Sequence, residues 1–229
     1  MTIDPGALYR LMAWLSPAYP VGGFSYSHGL EFAVEHGLVK DRIGLVDWIG
    51  WILERGAGHA DGVLFARAHE AASIEDWAEL DAIADLAQAL RGSAETALES
   101  RQQGEAFLSV TRRAWPDAVL ESWTQRRGEN ETALCVAVAL AAATAGIPVA
   151  AALGAYLQAF AANLVSAGVR LIPLGQTDGQ LALAELAETV AETARHALSC
   201  PLDRLGTAAA GVDWTSMRHE TQYTRLFRS

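Results

Sequence analysis

Lysine is almost missing from this chain of 229 residues: Lys40 is the only one. That excludes a Walker-type phosphate loop, which needs a lysine after its second glycine, so the chain carries no nucleotide-hydrolysing motif of its own. Positive charge as a whole is scarce. Seventeen basic residues face 27 acidic ones, a net charge of −10, and binding a phosphate backbone needs the opposite balance, so nucleic acid is not expected as a partner. The two cysteines, Cys135 and Cys200, form no C-x-x-C pair; they suit a reducing compartment and read as small core fillers. The six histidines are dispersed without an H-E-x-x-H, so no metal site and no cofactor of the chain's own is expected. The opening Met-Thr-Ile-Asp-Pro lacks the basic region of a signal peptide, and a cytoplasmic location is expected. No stretch alternates with a two-residue period and no Asn-Gly turn occurs, which argues against strands.

Charge is missing altogether from one long run, the 38 residues from Thr132 to Val169. About 20 apolar residues cross a bilayer, so a membrane hairpin has to be weighed. Pro148 divides the run, alanine dominates both halves, and Gln158, Asn163 and Ser166 interrupt the second. Two alanine-rich helices buried in a bundle or at a dimer seam fit better, because small side chains let helix axes approach. No membrane is expected.

What is present is helical punctuation. Asp4-Pro5, Asp41 and Ser93 are helix starts, and Ser73-Ile74-Glu75-Asp76 resembles a capping box. Leu8, Leu11, Met12 and Leu15 mark one face of a first helix, and Leu45, Trp48, Ile49, Ile52 and Leu53 one face of another. Thr177 or Asp178 is expected to cap a late helix. The spacing predicts an all-α fold, a single-domain helical bundle of about eight to ten helices. Residues 1–205 form its body and 206–229 a C-terminal tail. Within residues 216–229 three arginines stand against one glutamate, a net of +2 on a chain that is otherwise −12. A basic, aromatic tail on an acidic body is a candidate for ordering on a partner.

The densest chemistry lies near the start, from Ser16-Pro17-Ala18-Tyr19-Pro20-Val21-Gly22-Gly23 through Phe24-Ser25-Tyr26-Ser27-His28-Gly29-Leu30-Glu31. Pro17 and Pro20 fix φ and exclude a helix between them, while Gly22 and Gly23 allow a backbone turn with positive φ. The stretch reads as a rigid elbow pinned into the core that launches a helix at about Ser25. It almost spells the nucleophile elbow G-x-S-x-G but ends in serine and follows no strand. A serine-dependent hydrolase using Ser25 or Ser27 with His28 is therefore the alternative from another class. A second polar run, Glu99-Ser100-Arg101-Gln102-Gln103-Gly104-Glu105, lies in mid-helix, where Gly104 is plausible as a point of close backbone approach.

Four stretches together carry a resemblance. The segment Ser16 to Glu31, Arg101-Gln102-Gln103-Gly104, Ile172-Pro173-Leu174-Gly175-Gln176-Thr177-Asp178-Gly179-Gln180, and the ending Met217-Arg218-His219-Glu220 with Arg225-Leu226-Phe227-Arg228-Ser229 are similar, in that order, to the UreF family of urease accessory proteins. The resemblance implies an all-α, non-catalytic homodimer. It also implies UreD (UreH in some species), the GTPase UreG and apo-urease as partners, regulation of that GTPase, and nickel that transits the complex. It places the UreD contact on Arg218, His219, Glu220, Tyr223, Arg225, Leu226 and Phe227. The elbow residues Pro17, Pro20, Gly22, Gly23, Phe24, Ser25, Tyr26, Gly29 and Glu31 would then shape the fold and present a partner surface.

Overall fold

The computed structural model describes residues 3–229. Among them the chain is all-helical, with twelve α-helices, two short 3-10 turns and no strand. Helices α1 (Pro5–Trp14), α2 (Leu30–Glu35), α3 (Arg42–Arg55), α4 (Ala57–Ser73), α5 (Trp77–Ala89) and α6 (Ala94–Ala114) make the first half. Helices α7 (Ala118–Arg127), α8 (Leu134–Thr144), α9 (Val149–Leu171), α10 (Gln176–Glu185), α11 (Ala187–Ser199) and α12 (Ala210–His219) follow. The count exceeds the expectation for two reasons. Helix α7 buries only Leu120, Trp123 and Arg127, too thin a stripe to show in the sequence, and the late helix bends at Leu186 into α10 and α11.

The core is built around α4, which buries 13 of its 17 residues because α3, α5, α8, α9 and α11 all pack on it. Its alanines and glycines let those neighbours close in. The charge-free run becomes α8, inside the core, and α9, which lies on α3, α4, α8, α10 and α11. Helix α9 is long and apolar enough to cross a membrane by length and composition, yet its Leu153, Leu157, Leu164 and Val165 face protein neighbours. Gly104 is the close-approach point between α6 and the start of α8. A β-carbon there would stand 1.9 Å from the carbonyl oxygen of Thr132. Gly168 of α9 is pressed in the same way against Leu45 of α3.

Local signals fared unevenly. Asp4, Asp41 and Ser93 cap their helices through side-chain hydrogen bonds. The stripe on α1 was mis-phased: Leu8 and Met12 are exposed, while Ala7, Leu11 and Trp14 face inward. Trp14 sets that phase by packing edge-on to Phe107 and Trp115. Asp76, not Ser73, caps α5, since Glu75 takes a left-handed φ of 56° and ends the preceding turn. Neither Thr177 nor Asp178 caps α10. Gly175 does, and Asp178 reaches back to accept its amide at 3.0 Å.

Candidate functional site

The elbow leaves α1 through Pro17 and Pro20, both exposed, and is anchored by Tyr19 between them. Tyr19 is buried beside Phe107 and Trp115, its hydroxyl 2.8 Å from Thr111 Oγ1. Burial raises its pKa, only partly offset by that hydrogen bond. Gly22 then adopts φ 75°, as its residue type suggested, and starts a 3-10 turn over Gly23–Ser25. Gly23 lies against Asn163 of α9, and Phe24 points outward.

The α-helix does not begin at Ser25. The chain extends at Tyr26 and turns through left-handed His28 and Gly29, so that α2 starts at Leu30. Gly29 shows why: with φ 74°, a β-carbon there would meet Ser216 N and Thr215 Oγ1 at 2.6 Å. The elbow is bent to receive α12, a constraint from residues nearly 190 positions away. Tyr26 is tied to α6 by its hydroxyl, 2.9 Å from Gln102 Oε1.

Glu31 is the centre of the site. It is buried in the first turn of α2, where a carboxylate suits the helix dipole. Its Oε1 accepts the amide of Leu226 at 2.6 Å, and its Oε2 accepts the amide of Phe227 at 2.9 Å. The same Oε2 lies 3.0 Å from Nε2 of His219, whose Nδ1 lies 2.7 Å from Glu95 Oε2. Arg225 completes the group by donating to Glu95 Oε1 at 2.6 Å. Around it, the amide of Arg228 donates to the carbonyl of Ser25 at 2.8 Å, and the amide of Ser27 to that of Ser229 at 2.7 Å. Ser229 Oγ bonds Glu99 Oε2 at 3.0 Å. Arg170 stands 4.3 Å over the Phe227 ring and donates to the carbonyl of Phe24 at 2.8 Å.

The tail is therefore neither frayed nor extended but folded onto its own elbow. The seven tail residues singled out in the sequence divide accordingly. His219 and Phe227 are buried in the clamp, whereas Arg218, Glu220, Tyr223, Arg225 and Leu226 are exposed. Glu220 accepts the amide of Ala94, and so caps α6. The exposed face gains two residues that sequence reading missed, Trp214 and Met217 of α12. They lie on α12, inside the segment that the sequence reading took as a tail. Glu95 and Arg170 were missed too, with no local signal to find them.

Beneath the elbow, α4, α6 and α9 enclose a cavity of about 140 Å³. Its wall holds the buried pair Arg91–Asp61 (2.9 Å), with the Tyr156 hydroxyl donating to Asp61 at 2.9 Å. Burial pushes the Tyr156 hydroxyl well above its ordinary pKa, with Asp61 adding to it. His28 faces the same space, its Nε2 3.1 Å from Glu99 and its ring edge-on to Phe160. Burial lowers the His28 pKa, but the Glu99 charge and hydrogen bond, helped by Asp61, outweigh it and leave the net shift upward.

No serine–histidine couple forms here. Ser27 Oγ donates to the Ser229 carbonyl and is buried, while His28 is committed to Glu99. Ser25 lies within the 3-10 turn instead of capping a helix. Among the described residues no three potential ligands cluster to hold a metal ion. The groups that meet the Glu31 carboxylate, the amides of Leu226 and Phe227 and the His219 ring, all come from α12 and the tail, which is the chemistry of a clamp.

Comparison with known proteins gives this arrangement a context. The UreF family model matches residues 39–187. The chain is 54% identical over 223 residues to urease accessory protein UreF of Granulibacter bethesdensis, an alignment covering 97% of this chain and 94% of the relative. It is 50% identical over 234 residues to urease accessory protein UreF of Rhodopseudomonas palustris strain BisA53, covering 99% and 98%. With the protein of the same name from Methylorubrum populi it shares 50% identity over 220 residues, covering 96% and 98%.

Proposed function

Because this chain belongs to the UreF family of urease accessory proteins, which act in urease maturation without catalysis, we propose that it is the adaptor joining UreD (UreH) to the GTPase UreG. In this reading it works in the cytoplasm as a homodimer and regulates the GTPase. It helps deliver to apo-urease nickel that passes through the complex and is not kept here.

The observation that carries the reading is the division of the tail. Clamped by Glu31 from below, it turns Trp214, Met217, Arg218, Tyr223, Arg225 and Leu226 outward. Tyr223 is fully exposed and Leu226 is 64% exposed. Large apolar and arginine side chains held outward on a fixed backbone are the anchors that dominate protein interfaces, and their ordering cost is already met. This face is assigned to UreD. The alanine-rich outer side of α9 supports a seam with a second copy, since Gly154, Ala155, Ala159 and Ala162 are only half-buried.

Co-expression with UreD and UreG followed by size exclusion tests the reading. A ternary peak that is lost in a variant ending at Gly211 supports it, and an undiminished peak from that variant removes the tail from the UreD contact.

A further inference from the structure

The clamp contains a proton that can be located by counting. Glu31 receives three donors, two of them backbone amides that can only donate. Glu95 receives Arg225, which also can only donate. A protonated Glu31 or Glu95 would need an acceptor for its own hydrogen, and the partners at its oxygens offer none except the imidazole. His219 meets a carboxylate oxygen at each ring nitrogen and is 0% exposed. Both contacts need two protons between them, and the donors from Leu226, Phe227 and Arg225 favour the ionised carboxylates, which leaves both protons on the ring.

We infer that His219 is a proton-operated lock: as imidazolium it ties α12 and the tail to α2 and α6, and loss of one ring proton releases the tail from Glu31. In the closed state two carboxylates face one imidazolium and one guanidinium, a charge-balanced group in which His219 and Glu31 are buried and Arg225 is exposed. Deprotonation leaves a carboxylate facing a lone pair and an uncompensated negative charge out of water, which is the costly way to break such a group. The other charged groups nearby do not relieve it. Glu99, one turn along α6, is held by His28, Gln103 and Ser229. Glu220 caps α6, Glu35 of α2 is bonded to Gln222, and Arg218 lies over Phe32.

The sign follows from which form docks. The tail is held where the imidazolium persists and freed as pH rises and it is lost. Releasing the tail withdraws Tyr223, Arg225 and Leu226 from their fixed positions, so the lock would control presentation of the surface assigned above. It holds or fails independently of which protein that surface binds.

The test uses the full chain labelled with nitrogen-15. Ring shifts report the His219 protonation state, and hydrogen exchange reports the protection of the Leu226 and Phe227 amides, with base catalysis divided out. Two protonated ring nitrogens while the tail is docked are expected. Protection should then fall on the order of a hundredfold, the size set by losing one partner of a buried charge group, in the same titration step that removes a ring proton. His219→Gln, which cannot donate to carboxylates on opposite sides, should lack that protection at every pH while amides of α4 and α8 keep theirs. A single-proton ring in the docked state, or protection indifferent to the ring proton, would overturn the inference without touching the proposed partners.

Discussion

The amide of Phe227 donates to the carboxylate of Glu31 at 2.9 Å across 196 residues of chain. One acidic side chain near the start thus fixes where the end lies. Removing the acid and removing the ring should therefore look alike in the isolated protein. Phe227→Ala and Glu31→Ala should each expose the tail to limited proteolysis while leaving the helical body folded. Truncating a buried phenylalanine costs about 3–5 kcal/mol, enough to outweigh several of the tail's remaining hydrogen bonds at about 1 kcal/mol each. Unchanged cleavage of both variants would contradict the clamp.

Tyr223→Ala separates docking from recognition. Its ring touches nothing that holds the fold, so melting and tail protection should stay as in the parent. Capture of UreD should weaken by about 1–2 kcal/mol or more, as for an interface anchor. The comparison is made by melting and by pull-down on the same preparation.

Two glycines of the elbow should respond differently. Gly22 has φ 75° but open space around it, whereas Gly29 has φ 74° and α12 against it. Gly22→Val then costs only backbone strain, about 1–2 kcal/mol, and Gly22→Asn less. Gly29→Ala adds a clash with Ser216 N and should cost clearly more, read as the larger drop in urea midpoint.

Gly104→Ala should destabilise the body itself. The added carbon collides with the Thr132 carbonyl, so α6 and α8 must part, at a cost of about 1–3 kcal/mol or more. Gly50→Ala on α3, where nothing lies within 4 Å, is the control and should be neutral or slightly stabilising in chemical denaturation.

His28 gives a pH prediction with a fixed sign. Its pKa is raised in the fold by Glu99 despite burial. Its contribution to stability is therefore present below the ordinary imidazole pKa and lost as pH rises through the folded one. In Glu99→Gln the His28 midpoint should move down when followed by NMR. An unmoved midpoint would remove Glu99 as the cause.

How much of this the sequence showed depends on distance along the chain. Asp4, Asp41 and Ser93 were legible because a cap and the amides it serves lie within three residues. Gly104 was legible because glycine in mid-helix is costly and so points to crowding. The start of α2 was not. Ser25 looks like a cap, and only the arrival of Ser216 against Gly29 moves the start to Leu30. Glu31 could be named as part of a motif, but its role depends on His219, Leu226 and Phe227, and no local pattern announces a carboxylate that will be buried by the other end. Helix α7 was missed for another reason, because a helix burying three side chains leaves almost no periodic trace.

The central claim is that this UreF family member works by presenting a clamped tail to a partner. It is tested most directly by co-expressing UreD with the full chain, with Tyr223→Ala/Leu226→Ala and with Ser25→Ala, then measuring the complex by size exclusion. The account predicts loss of the complex for the tail pair and its retention for Ser25→Ala. A complex that survives the tail pair intact would contradict it.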